Sequence, residues 1–488
     1  MGHSVIVLTV IALYIGFLLT ISHFTSRKAD NSTFFIGNKK MAWPIVGLAM
    51  ITAPISGVTF ISVPGMVLTK GYGYLQMCLG FIVGYLVIGW LLVPIYYKHN
   101  IVSIYSFLES RFGKETYKTG AWFFLISKIL GTAVKFLVVC TVLQLLVFNE
   151  FGVPFVVNVV VTTFLIFLYT FKGGVRTVVW TDLFKSVCLV VSTGIMIYFI
   201  ADTLHWSGND IYDGFSNEIS SRMFFFDDSA DSSFFWKQFI AGIFLVVAMT
   251  GMDQDMMQHT LSCRNAISSK KNLVMSSILQ FLVISLFLML GTLIISYANS
   301  YSMSVPANSD DLLAMVAFHE SMPWIVGVAF ILGLIAASYS SVGSALTSLT
   351  TSYTVDILEA DKKYDETGIK NVRKKVHIGM AMILAIIIMG FYYVKDDDAI
   401  SAVFTLASYT YGPILGLFIF GIFTKREVNA RLVALICFLS PVISWAIQWY
   451  CKNFLQYQIG FELLLINASL ILIALYLLPH KEVEYEAA

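Results

Sequence analysis

The sequence predicts an all-α polytopic membrane protein, and three observations carry that prediction. Of its 488 residues, 58% are hydrophobic and only 12% are charged, against about 25% charged in ordinary soluble domains. Apolar runs recur along the whole chain, each near the ~20 residues needed to cross a hydrocarbon core about 30 Å thick. Lys and Arg collect in alternate loops, the pattern that orients helical membrane proteins.

Thirteen spans are expected, at 4–24, 42–68, 74–97, 119–147, 154–171, 176–202, 234–258, 272–299, 323–356, 373–394, 398–424, 428–450 and 459–479. The first has no basic stretch before it and no small-x-small cleavage site after it, so it reads as a retained helix rather than a signal peptide. Residues 1–41 then form an N-terminal extra helix with a cytoplasmic loop, and 42–202 a first group of five helices. An extracellular loop follows at 203–233, a second group of five at 234–424, and two C-terminal helices with a short cytoplasmic tail at 425–488. Between spans 3 and 4, "SIYSFLESRF" (103–112) reads as a short surface helix.

Orientation follows from the loop charges. One set of loops holds Arg27, Lys28, Lys39 and Lys40, then Lys98, Arg111, Lys114 and Lys118, then Lys172 and Arg176. The same side continues with Arg264, Lys270, Lys271, the cluster from Lys362 to Lys375, Lys425, Arg426, Arg431 and Lys481. The opposite loops hold only Lys70, Arg222, Lys237, Lys395 and Lys452, and carry the acidic runs "DDSAD" (227–231) and "DDD" (396–398). The N-terminus is therefore expected outside and the C-terminus inside, as an odd number of spans requires.

No loop is long enough for a soluble catalytic domain, and no GxSxG, HExxH or P-loop is present. The six cysteines (Cys78, Cys140, Cys188, Cys263, Cys437, Cys451) are scattered, mostly inside apolar runs, without CxxC spacing. They read as packing residues, implying neither disulfides nor a bound transition metal. No cofactor and no nucleic-acid partner is expected; the partners are the bilayer, a small solute and an ion, around a monomeric functional unit in the cell membrane.

Two spans are interrupted. Span 2, "GLAMITAPISGVTFISVPG" (47–65), contains Pro54, which cannot donate to the carbonyl four residues back, and Gly57, which makes unwinding easier. Carbonyls around Thr52 to Ile55 are freed, with Ser56, Thr59 and Ser62 nearby; the bland alternative is a proline kink. Span 7, "FIAGIFLVVAMTGMDQDMMQHTL" (239–261), breaks at Thr250-Gly251 and is followed by Asp253 and Asp255. Irregular backbone at membrane depth is tolerated only where it faces protein or a cavity. Breaks at matching positions of two five-helix halves point to an inverted-repeat transporter; the alternative is a helix that ends early with both aspartates solvated.

Span 9 is unusual in another way. In "AASYSSVGSALTSLTTSYTVD" (336–356), ten of 21 residues are Ser or Thr. Ala337, Ser340, Ser341, Ser344 and Ser348 share one helical face. Such hydroxyls either pack helices or offer neutral oxygens to a weakly held monovalent cation, since a divalent ion recruits carboxylates. A broken helix with free carbonyls alongside favours sodium.

Four stretches carry a family resemblance: "GLIAASYSSVGSALTSLTTSYTVDI" (333–357), "GGVRTVVWTDLFKSV" (173–187), "MTGMDQDMMQHTLSCRN" (249–265) and "YGPILGLFIFGIFTKR" (411–426). They resemble the solute:sodium symporter family, which includes proline, galactose, sialic acid, iodide, pantothenate and monocarboxylate carriers, over about residues 30 to 430. The resemblance implies a LeuT-type 5+5 inverted repeat formed by spans 2–11. It also implies a sodium site made of the carbonyls of Thr52, Ile55 and Ala337 and the hydroxyls of Ser340 and Ser341, with Na+ the only metal. A second sodium, present in some members, resembles the position of Asp182 with Ser344. Here Gly343 stands where those members often have Ser, and the alternative for Asp182 is a structural pair with Lys185.

Substrate candidates are Ser56, Thr59, Phe60, Cys78, Lys135 and Tyr409. The galactose carriers hold sugar hydroxyls with polar groups at positions that here are Thr59, Cys78 and Phe81, which argues against a galactose-type pocket. Lys135 lies mid-span, where a cation is costly and normally faces the interior with an anionic partner. Sialic acid carriers resemble this in placing an Arg in the same helix against the substrate carboxylate; the alternative is that Lys135 pairs with a protein acid or snorkels. In span 11, Tyr409 or Tyr411 is a candidate outer gate. The expected activity is sodium-coupled import of a small polar solute, with a carboxylate-bearing one preferred. The rivals are a neutral sugar or polyol symporter, a sodium-independent facilitator and a transport-derived sensor.

Overall fold

The computed structural model describes residues 3–27, 30–99, 101–206, 222–229, 231–304, 306, 308–394, 399–457, 459–479 and 481–482. Lys28, most of the loop 203–233, Lys395 with the three aspartates after it, and the tail beyond 482 lie outside these residues. Apart from one two-residue antiparallel ladder, Arg426–Glu427 with Lys481–Glu482, the regular structure is helical.

The main helices follow the predicted order. α1 is His3–Ser26; α2 is broken into Trp43–Ala49 and Gly57–Lys70; α3 is Tyr74–Lys98, α4 Lys114–Phe148, α5 Phe155–Thr170 and α6 Gly174–Thr203. α7 comprises Phe235–Gly251 and Gln254–Leu261, bent by 70° at the break. α8 is Ala266–Ser300, α9 Trp324–Ile357, α10 Glu366–Val394, α11 Ala399–Phe423, α12 Ala430–Phe454 and α13 Leu463–Leu477. Among the described residues, nine helices are long and apolar enough to cross a membrane, or ten with the bent α7 pair counted as one. Gly57–Lys70, α5 and α13 are shorter apolar helices.

Helix ends obey local chemistry. Asn265 caps α8 by accepting from the Ser268 N–H, and Asn429 caps α12 at Arg431. Before the break in α7 the last turn widens, with Met252 N–H reaching back to the Val247 carbonyl at 3.1 Å, and such wide turns recur at functional sites. The segment predicted as a surface helix is helical and packs one face inward. Ser106–Phe112 buries Phe107, Leu108 and Phe112, with the Phe107 ring stacked on Phe418 of α11 at 5.5 Å.

Burial identifies the centre. In α9, 83% of the most apolar stretch is buried within the protein, against 22% in α10 and α12. α9 packs along α6 and against α4 and the second half of α2. α3 and α7 approach closely because both present glycine: a methyl at Gly80 would collide with the Phe239 carbonyl, and one at Gly242 with the Met77 carbonyl. Small residues permitting such contact are how membrane helices gain dispersion energy without a hydrophobic drive.

The lower hydroxyls of α9 are structural, since Thr347, Ser348, Thr350 and Thr351 each donate to a carbonyl three or four residues back. Thr350 also meets His377 Nδ1 at 2.7 Å, while His377 Nε2 lies 3.0 Å from Thr170, tying α5, α9 and α10 together.

Candidate functional site

The break in α2 leaves residues 50–56 in turns between two helical halves. Ser56 restarts the helix through reciprocal capping with Thr59, both contacts at 3.4 Å. Thr52 is fully buried in this break. Its hydroxyl accepts from Ser340 of α9 at 3.1 Å and lies 3.1 Å from Ser186 of α6. The carbonyls of Asp182 and Ala49 are each 3.4 Å from it.

Ile55 is buried in the same break and Ala337 sits on α9 three residues before Ser340. Ser341 donates to the Ser338 carbonyl at 3.1 Å and, with Ile55, reaches the wall of an internal cavity. The structure thus joins Thr52 to Ser340 directly and places Ile55 and Ser341 at one cavity edge. Ser186 is a neighbour that sequence reasoning missed, although it lies one helical turn beyond Asp182.

The cavity lies between α2, α3, α4, α7, α8, α9 and α11, and takes in Ser56, Thr59, Lys128, Lys135, Asp253 and Tyr411. Three substrate candidates, Ser56, Thr59 and Lys135, therefore line it. Phe60 does not: it packs its ring against Phe287 of α8 and Phe330 of α9, at 5.6 and 6.0 Å. Cys78 is buried off the cavity, which α3 instead lines with Tyr74, Phe81 and Tyr85. Tyr409 also faces elsewhere, donating its hydroxyl to Gln448 of α12. Two residues on, about 200° around the helix, Tyr411 turns into the cavity and donates to Asp253.

A charge cluster closes one side. Asp253 and Asp255 are both buried, so the reading of solvated aspartates does not hold. Lys128 of α4 lies 3.2 Å from Asp253 Oδ2 and 2.7 Å from Asp255 Oδ2. Asp253 caps the second half of α7 by accepting the N–H groups of Asp255 and Met256, and Ser344 donates to Asp255. Unpaired, such charges would be costly at this depth; that cost was the signal that they must meet. Lys135, two turns along α4, makes no direct hydrogen bond or ion pair among the described residues, and Asp253 and Asp255 are the acids that act on it at longer range.

The second-ion candidates are not joined. Asp182 gives Oδ1 to Lys185 at 3.1 Å and Oδ2 to His259 at 3.3 Å, while Ser344 is directed to Asp255. A methyl at Gly343 would collide with the Tyr169 hydroxyl, whose space a serine would need.

A family model described as the sodium:solute symporter family matches residues 34–436. The chain belongs to that family. It is 25% identical over 464 residues to a sodium/sialic acid symporter of Aliivibrio fischeri, covering 91% of this chain and 88% of the relative. It is 24% identical over 470 residues to a sodium/glucose cotransporter of Vibrio parahaemolyticus, covering 88% and 82%. Against the human sodium-coupled monocarboxylate transporter 2 the identity is 23%, and the match spans only 64% of that longer protein.

A solved Na+-coupled sialic acid symporter, in a substrate-bound outward-open state, superposes with a TM-score of 0.84 over 99% of this chain and all of that one, at 20% identity. That likeness establishes a LeuT-like fold. The symporter is a multi-pass membrane protein and a transporter rather than an enzyme, with sodium as co-transported ion and no cofactor implied.

Proposed function

We propose that this symporter imports a carboxylate-bearing organic solute with sodium by alternating access. Sodium binds in the α2 break and on α9, to the carbonyls of Thr52, Ile55 and Ala337 and the hydroxyls of Ser340 and Ser341. The observation that carries the ion site is the 3.1 Å contact between Ser340 and Thr52 across the break. An ion there ties α9 to the broken helix, favours the outward-open form and orders the adjoining wall that carries Ser56 and Thr59. Solute binding then permits closure, and opening inward loosens the ion ligands.

Lys135 carries the preference for an acid. Of the two cations on α4, Lys128 contacts both Asp253 and Asp255, whereas Lys135 reaches the cavity wall without a direct partner, the two carboxylates acting on it only from a distance. An ammonium at membrane depth normally faces an anion, and the carboxylate of a solute supplies one. The named relatives include carriers of sialic acid and of monocarboxylates. A neutral sugar or polyol would give Lys135 no anion in direct contact.

The architecture that supports this mechanism has thirteen crossings, N-terminus outside and C-terminus inside, with α2–α6 and α7–α11 as the two inverted halves and a monomer as functional unit. Interrupted α2 and α7 occupy equivalent places in those halves. One sodium moving down ~100 mV yields about 2.3 kcal/mol and a tenfold gradient about 1.4 kcal/mol, enough for ~500-fold accumulation of a neutral solute. An anion carried with one sodium keeps only the ~10-fold chemical part.

The melting temperature of purified protein in sodium and in potassium, against sialic acids, other carboxylates, sugars and amino acids, tests the reading, because a ligand of the folded state raises apparent stability. A carboxylate that stabilises only in sodium is the expected result. Equal shifts in both salts would bring forward the facilitator or sensor; stabilisation by neutral sugars alone would favour the sugar symporter.

A further inference from the structure

Lys185 stands beside the carboxylate that a second cation would use, and its surroundings are those of a cation site. Its ammonium is fully buried. It lies 3.1 Å from Asp182 Oδ1, 3.1 Å from the Tyr169 hydroxyl and 3.1 Å from the Tyr339 carbonyl. The centre of the Tyr169 ring is 4.6 Å away. The Tyr169 hydroxyl donates to the same Tyr339 carbonyl at 2.5 Å, which fixes the phenol in place. A carboxylate, a phenol and a peptide carbonyl around one positive charge form the kind of oxygen set that holds an alkali cation.

The surroundings adjoin the proposed sodium position on both α6 and α9. Tyr339 immediately precedes Ser340, and the Asp182 main-chain carbonyl faces the Thr52 hydroxyl. Gly343 provides the room, because any side chain there would displace the Tyr169 hydroxyl. His259 holds the other Asp182 oxygen and so orients the carboxylate toward Lys185.

We propose that Lys185 is a tethered cation occupying the second ion position, so that this symporter couples one sodium, not two, to each solute. The inference rests on the sodium symport reading above. With an anionic solute it makes the cycle electroneutral, and accumulation then follows the sodium ratio without help from membrane potential.

The test counts ions. Radioactive sodium is titrated onto the detergent-purified protein with potassium as the replacing cation, and the sodium-to-solute flux ratio is measured in vesicles holding the full chain. Wild type is expected to bind one sodium with a Hill coefficient of one. Lys185→Gln and Lys185→Ala each free Asp182 Oδ1 and the oxygens beside it while His259 stays on Oδ2, so binding rises to two ions and the Hill coefficient moves toward two. Two ions on the wild type would overturn the inference, as would folded variants that still bind one. If neither variant folds, the wild-type count decides. A wild type that binds no sodium sinks the symport reading itself, a different result from either of these.

Discussion

Ser340 and Thr52 are separated by 288 positions yet share a hydrogen bond at the break in α2, so each is exposed to substitution in a different way. Replacing Ser340 with Ala removes one hydroxyl from the proposed ion shell. A bond to a charged group contributes about 1.5–3 kcal/mol, so the sodium midpoint should rise ~10- to 100-fold. Ser348→Ala is the control on the same helix, since that hydroxyl bonds only its own backbone at 2.9 Å. Its sodium midpoint should stay at the wild-type value, and sodium titration of the melting temperature reads both. Lys135→Met should abolish stabilisation by carboxylates while Lys135→Arg keeps it; a Met variant that still responds to carboxylates would remove Lys135 from the solute site.

At the scale of elements, the contact between α4 and the second half of α7 is a charge cluster, and breaking a buried pair costs more than the pair contributes. Lys128→Met leaves Asp253 and Asp255 facing one another without a cation and should destabilise the protein by about 3–5 kcal/mol. Adding Asp255→Asn should recover part of that loss, seen as a partial return of the melting temperature. A second tie lies outside the spans. Glu359, between α9 and α10, contacts Lys114 at 2.8 Å and Lys118 at 3.2 Å. Hydrogen bonds from Lys114, and then Lys118, hold its carboxyl down at about 2, below its ordinary 4.5. A depressed carboxylate contributes stability above its unfolded value and loses it as pH falls through the folded one. The difference in melting temperature between wild type and Glu359→Gln should therefore be full at neutral pH and close between about pH 4.5 and 2; a difference independent of pH would remove the ion pair as its cause.

For the molecule as a whole, the orientation argued from loop charges is open to chemical labelling. Five of the six native cysteines are buried and Cys451 is half-buried, so the background is low once Cys451 is changed to Ser. Cysteines introduced at the exposed positions Ser229 and Lys363 should then respond oppositely to an impermeant maleimide on intact cells. Ser229→Cys labels directly, and Lys363→Cys labels only after permeabilisation. The reverse pattern would invert the topology.

What the sequence by itself determined is whatever depends on residues close along the chain. Apolar runs of helical length, the proline at position 54, Thr250-Gly251 before an aspartate cap, and a stripe of hydroxyls every three or four residues are local facts. The helices, both breaks and the face of α9 that meets Thr52 were legible from them. Only the tertiary structure decided the partners, because a side chain's neighbours across helices depend on rotation about each axis. Nothing local distinguishes Tyr409 from Tyr411, or Phe60 from Thr59, as cavity-facing. Likewise no spacing could show that Lys128 contacts both Asp253 and Asp255 while Lys135 has no direct contact with either, or that Lys185 brings its ammonium to the Tyr339 carbonyl 154 residues away. Burial makes such pairings obligatory; the packing of α4, α6, α7 and α9 selects which ones form.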